Sequence, residues 1–163
     1  VARRGKPAEK PQERVVATNR PATYYYHLLE KFEAGLVLTG TEVKSLREGK
    51  ASLKEAYAMV RNGEAWLVNC HIPEYRPGGV FNHDPLRPRK LLLHRSEIDK
   101  LAGRTQQKGL TLVPLRIYFR DGLAKVELAL ARGKKVWDRR QTERDKQARR
   151  EAEEAIYHHR RRH

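Results

Sequence analysis

The sequence predicts a mainly β fold: a small closed or partly open antiparallel β-barrel with short flanking α-helices. Three observations predict it. Asn62-Gly63 and Asp121-Gly122 each separate two strand-like runs, and such pairs are the strongest short-range hairpin signal. Residues 110–119, LTLVPLRIYF, are rich in β-branched and aromatic side chains. About six such runs and two short helical patterns fill residues 19–132, with no internal repeat.

Taken in order, residues 1–18 hold two prolines among scattered charges and read as a disordered basic arm. Order is expected to begin near Asn19. Residues 24–30 are aromatic-rich and read as a strand, and residues 32–38 as a second, with Gly35 marking a bend or bulge. Gly40-Thr41 opens a short helix, with Thr41 as its cap, Glu42 in the first turn, Val43 and Leu46 on one face, and Gly49 at its end. Runs 56–60 and 65–68 flank the first hairpin turn. Residues 73–89 carry Pro73, Pro77, Gly78, Gly79, Pro85 and Pro88, which break regular structure. A loop this long is usually functional. Residues 90–93 form a short buried strand or open a helix. Ser96 heads a helix with Ile98, Leu101 and Ala102 on its apolar face. Residues 110–119 and 123–130 form the second hairpin.

The chain has 163 residues, of which 39% are hydrophobic, which suits one core with tails. Net charge is +15; the first twenty residues carry +4 and the last 31 carry +5. Such an excess points to a polyanion, most often nucleic acid, over a merely solubilising coat. Cys70 is the only cysteine, which excludes a disulfide framework and a thiolate zinc site. Its strand-like surroundings predict a buried, inert thiol in a reducing, cytoplasmic setting. No apolar run approaches membrane-spanning length, so no membrane partner is expected.

No catalytic set emerges. Asn82-His83-Asp84 lacks a second ligand cluster, so His83 reads as a surface loop histidine rather than a metal ligand. His158, His159 and His163 read as solvated. Neither phosphate-binding glycine motif is present, so no cofactor, metal or enzymatic activity is expected. The basic residues suit RNA better. Arg3, Arg4 and Lys6 lie on the arm, Arg20 where order begins, Lys44, Arg47 and Lys50 on or beside the first helix, and Arg87, Arg89 and Lys90 at the end of the loop. Phosphate contacts of this kind give affinity without reading sequence. Tyr24, Tyr25, Tyr26 and Tyr75 offer rings for base stacking or for core packing.

Residues 133–163 hold eleven Lys/Arg and six Asp/Glu. Opposite charges recur four apart, as in Arg139 with Glu143 and Asp145 with Arg149. Ala148, Ala152, Ala155 and Ile156 make too thin a stripe to pack. The segment is therefore expected to be disordered when free and helical on a ribonucleoprotein partner. Trp137, set among Lys134, Lys135, Arg139 and Arg140, is a candidate stacking ring.

Several runs together resemble the SsrA-binding protein (small protein B) family. They are Asn19-Arg20, Phe32-Glu33-Ala34-Gly35-Leu36, the stretch from Gly40 to Lys50 (GTEVKSLREGK), Arg89-Lys90-Leu91-Leu92-Leu93, Ala131-Arg132-Gly133-Lys134-Lys135 and Asp138-Arg139-Arg140. The resemblance implies an oligonucleotide-binding-like barrel that holds the tRNA-like domain of transfer-messenger RNA through Asn19, Tyr26, Glu33 and Leu92 with basic neighbours. It implies a factor for ribosome rescue, which enters stalled ribosomes with RNA charged by alanyl-tRNA synthetase and carried by elongation factor Tu; both proteins are met indirectly, through the RNA. Gly133, Lys134, Lys135, Asp138, Arg139 and Arg140 match the segment placed in the empty mRNA channel near the small-subunit decoding centre. Two departures stand out. Pro21-Ala22-Thr23-Tyr24-Tyr25-Tyr26 replaces the usual histidine-containing run, and Trp137 stands where histidine or another ring is common. From the residues alone, Leu92 reads as core, and Glu33 as either an RNA contact or a structural ion pair.

Overall fold

The computed structural model describes residues 13–162 and, within them, every side chain but those of residues 136, 137, 160 and 162. The order is β1 (Glu13–Thr18), α1 (Ala22–Tyr25), β2 (Tyr26–Leu36), α2 (Gly40–Arg47), β3 (Tyr57–Arg61), β4 (Glu64–Val68), β5 (Arg89–Leu92), α3 (Arg95–Thr105), β6 (Leu110–Arg120), β7 (Leu123–Gly133) and α4 (Val136–Arg162). Every strand pairing is antiparallel. The sheet runs β6-β3-β4-β5-β2-β7 and closes as β7 pairs with β6. Closure removes the open edges that would otherwise invite aggregation. β1 lies against β6 at Arg116–Arg120, past the point where β3 meets Leu112, so one edge of β6 serves two strands in turn.

Alternation along the strands fills the barrel with Leu36, Leu67, Leu91, Leu112, Ile117, Leu128 and Leu130, while Leu46 and Leu101 pack in from α2 and α3. In β6 the register shifts between Pro114 and Arg116. That bulge changes the inward positions from even to odd numbers. Leu110 and Leu112 face in before it, and Ile117 and Phe119 after it, so Arg116 turns outward. A smaller apolar cluster of Ala22, Val113, Leu115, Ala129 and Ala131, with Tyr26 and Leu28, forms on the outside, where α1 covers the sheet.

Both expected hairpin turns are present. Asn62 and Gly63 have φ of 52° and 73°, Asp121 and Gly122 of 50° and 78°, the left-handed pair that two-residue hairpins require. Cys70 is buried as expected, and burial raises its thiol pKa to about 11.

Other expectations need correction. Residues 13–18, expected to lie in the disordered arm, form strand β1, anchored by Glu13, which pairs with Arg116 and Arg120. Residues 1–12 of the expected arm, with Arg3, Arg4 and Lys6, lie outside the described residues. Tyr24 and Tyr25 belong to a helical turn, and the two strands expected from 24 to 38 are one continuous β2. Its irregularity falls between Leu28 and Glu30 rather than at Gly35. Gly35 is needed for close approach instead, since a Cβ there would stand 3.2 Å from Leu92 Cβ. The first helix begins after Thr39, whose backbone N–H donates to Glu42 Oε1 at 2.8 Å, and not after Thr41. α3 begins after His94, not Ser96, with Glu97 accepting from the His94 N–H.

The tail forms α4, one helix of 27 residues. Its composition is dominated by strong helix formers, and its first turns rest on the barrel. Among the described residues, the hydrogen-bonded side-chain pairs at four-residue spacing in α4 are Gln141 with Asp145 and Gln147 with Glu151.

Candidate nucleic-acid interface

A buried clamp sets the shape of the basic surface. Glu42, on the inner side of α2, is fully buried. Its Oε2 accepts from Arg89 Nε and its Oε1 from Arg87 Nη2. Arg89 is itself fully enclosed; its remaining N–H groups donate to the carbonyls of Cys70, Asp84 and Pro85. Burial pushes the Glu42 pKa up, but hydrogen bonds from Arg87, the Thr39 N–H and Arg89 outweigh it and hold the carboxyl below its usual range. Arg89 is therefore removed from the RNA surface on which the basic run placed it. It ties α2 to the loop of residues 73–89, and Arg87, half-buried on the same carboxylate, joins it.

His83 works in the same joint. It is buried, not a surface histidine: its Nε2–H donates to the Ile72 carbonyl at 2.8 Å, and Nδ1 lies 2.8 Å from Thr41 Oγ1. Asn82 bonds the Tyr75 backbone in both directions. The loop is thus pinned at its base, and Val80 and Phe81 stand fully exposed at its tip.

Glu33 and Leu92, two of the family-matched residues, share the outer face of the barrel. Gly35 pairs with Leu92 on one side and Lys125 on the other. Leu92 is 55% exposed, which corrects its reading as core; Leu91 faces inward in its place. Glu33, two residues before Gly35, accepts from Tyr118 O–H at 2.6 Å and pairs with Arg120 Nη1 at 2.6 Å. Arg116 stacks over the Tyr118 ring at 4.2 Å. Burial, and then the Glu33 hydrogen bond, raise the Tyr118 pKa. Glu33 is thus fixed within an ion-pair network, with its orientation set before any ligand arrives. Lys125 went unmarked in the sequence because Leu123-Ala124-Lys125 breaks the alternation of its strand; only the register to Gly35 places it beside Leu92.

Of the other basic candidates, Lys90 lines a cavity together with Leu92, and the rest belong to other elements. Lys90 pairs with Glu64 at 3.3 Å, Lys50 with Glu48 at 3.3 Å, and Lys44 lies over the Tyr75 ring at 5.6 Å. Arg47 is exposed on α2, and its carbonyl accepts from Arg14. Arg20 is exposed at the turn into α1. Asn19 bonds β6 twice: its N–H donates to the Leu115 carbonyl and Nδ2 to that of Pro114.

At the tail root, Lys134 Nζ donates to the Thr23 carbonyl at 2.9 Å and to Thr142 Oγ1 at 2.8 Å. Asp138 accepts from the Lys135 N–H at 3.2 Å and stands 3.5 Å from His27 Nε2. Arg139 lies 5.7 Å from the Tyr25 ring, while Arg140 points to solvent. The Trp137 side chain lies outside what is described. Asn19 and Tyr26 line one cavity together with Gly133, Lys134 and Arg139, so the barrel and tail candidates meet.

Residues 16–158 match the family described as SmpB protein. The chain belongs to the SmpB protein family. An SsrA-binding protein of Sulfurihydrogenibium sp. (strain YO3AOP1) is 56% identical over 144 residues, covering 88% of this chain and 95% of that protein. One from Desulforudis audaxviator is 59% identical, covering 88% and 92%. A solved chain from "tmRNA-SmpB: a journey to the center of the bacterial ribosome" is 53% identical, with a TM-score of 0.62, over 73% of this chain and 84% of that one. The family match takes in both the barrel and most of α4.

Proposed function

We propose that this protein binds the tRNA-like domain of transfer-messenger RNA and brings it to stalled ribosomes in the cytoplasm for trans-translation. The observation that carries this reading is the family match from β1 to the far end of α4, with relatives above 50% identity named for binding SsrA. On this reading the barrel holds the RNA by shape and phosphate through Asn19, Arg20, Tyr26, Glu33, Lys90 and Leu92, with Lys125 beside them and Lys44, Arg47 and Lys50 giving longer-range attraction. Glu33 is held so that its carboxylate accepts from base amino groups or 2′-hydroxyls. Arg87 and Arg89 contribute by fixing α2 rather than by touching RNA. The tail runs from its docked root toward the empty mRNA channel near the decoding centre, and Lys135, Asp138 and Arg140 match the segment placed there. Elongation factor Tu and alanyl-tRNA synthetase act on the same RNA without needing a surface on this chain.

Removing residues 146–163 separates the two roles while leaving the docked tail root, with Thr142, in place. The truncated protein is expected to bind the tRNA-like domain within about threefold of the full chain, since the barrel face is intact. It is expected to lose peptide tagging on ribosomes stalled at a message end. Equal loss of RNA binding and tagging would contradict this division.

A further inference from the structure

We infer that the cavity between the barrel and the root of α4 binds one unstacked RNA nucleotide with its phosphate, and that barrel and tail build this site jointly. The inference rests on the RNA-binding reading above. The cavity has a volume of about 500 Å³, within the range of small-ligand sites. Its walls come from separate stretches of chain: Tyr25 and Tyr26 at the α1–β2 junction, Lys54 between α2 and β3, Tyr57 at the start of β3, and Lys134 and Arg139 at the tail root. Among the described residues, no carboxylate lines it. Three phenol rings beside three cations is the chemistry that takes a nucleotide, since rings stack on the base and cations meet the phosphate.

The cations are available for that work. Lys54 is exposed and forms no salt bridge among the described residues. Two of the three Lys134 N–H donors are spent on Thr23 and Thr142, which fixes the ammonium and leaves the third donor. Arg139 is paired with no carboxylate among the described residues, and its Nε is buried without a hydrogen-bond partner. A buried guanidinium N–H in a cleft without carboxylates is matched by a phosphate oxygen. Tyr57 is 43% exposed, which leaves its ring accessible to a base, while Arg139 lies over the Tyr25 ring. A nucleotide seated here touches barrel and tail at once, so RNA binding fixes the direction in which α4 leaves the barrel.

The test uses the full chain and the tRNA-like domain of transfer-messenger RNA, titrated at several salt concentrations. Lys54→Ala, Tyr57→Leu and Arg139→Ala are compared with the unaltered protein. Leucine keeps apolar bulk at position 57 but has no ring to stack. Tyr57→Leu is expected to weaken binding by about fivefold or more, the lower end for one lost base stack. Lys54→Ala and Arg139→Ala are each expected to weaken binding and to make the slope of log K against log salt shallower by about 0.7–0.9, the signature of one lost phosphate contact. Urea midpoints equal to that of the unaltered protein show that folding is not the cause. If the unaltered chain binds and all three variants match it in affinity and slope, the nucleotide site is wrong and the RNA-binding reading stands. If the unaltered chain does not bind this RNA, both fall.

Discussion

Glu42→Gln removes one charge from the buried clamp while keeping its shape. Arg89 is fully enclosed, so its guanidinium then sits in the interior without a counter-charge. Breaking a buried pair in this way costs about 3–5 kcal/mol; the glutamine carbonyl still accepts one bond, which favours about 3. With a urea m-value of about 2 kcal/mol/M, the unfolding midpoint falls by roughly 1.5 M. Far-UV circular dichroism against urea reads this at pH 7. Acid supplies a second readout. The Glu42 carboxyl is held below its usual range in the folded protein. Its stabilisation is therefore present above the unfolded-state value near about 4.3, and is lost as pH falls through the folded pKa. The variant lacks that contribution, so the gap between the two midpoints narrows on acidification. Because Arg89 meets no phosphate, the salt slope of RNA binding is unchanged while both proteins are folded. An unchanged midpoint at pH 7, or a gap that stays constant down to pH 3, would refute the clamp.

Four further outcomes follow from the same geometry. Lys125→Ala weakens binding of the tRNA-like RNA and lowers its salt slope by about 0.7–0.9, and Leu92→Asp weakens binding without moving the melting temperature, because Leu92 is exposed. Gly35→Val forces a Cβ against Leu92; overpacking of about 1–3 kcal/mol lowers the melting temperature by roughly 3–10 °C, read by calorimetry. Hydrogen exchange on the free protein finds slowed amides near Arg139 and Thr142, where α4 is docked, and fast exchange beyond Asp145, where side chains are exposed and a lone helix is marginal in water.

Local chemistry was legible in the sequence. Asn62-Gly63 and Asp121-Gly122 state their own backbone angles, so both hairpins could be read without knowing the rest of the fold. Where a side chain's role depends on its distant neighbours, the reading failed. Arg89 lies in a run of exposed-looking cations, and nothing nearby in sequence reveals that Glu42, 47 positions earlier, waits for it inside. Leu91, Leu92 and Leu93 look alike, and only pairing with Gly35 turns the middle one outward. Tyr24-Tyr25-Tyr26 has strand composition, yet Pro21 starts a helical turn that uses two of the three rings. The tail's charge pattern showed helical spacing but not the contacts of Lys134, Asp138 and Arg139 with Thr23, His27 and Tyr25, which join it to the barrel.

On the proposed function, this chain recognises a folded tRNA-like RNA rather than negative charge alone. Competition binding at fixed salt tests it most directly: labelled tRNA-like domain of transfer-messenger RNA is displaced from the full chain by the same RNA unlabelled, or by unstructured single-stranded RNA of equal length. Specific sites exceed nonspecific ones by about a thousandfold or more, so the unstructured RNA is expected to need at least about a hundredfold higher concentration. Displacement by both RNAs at equal concentration would contradict the account.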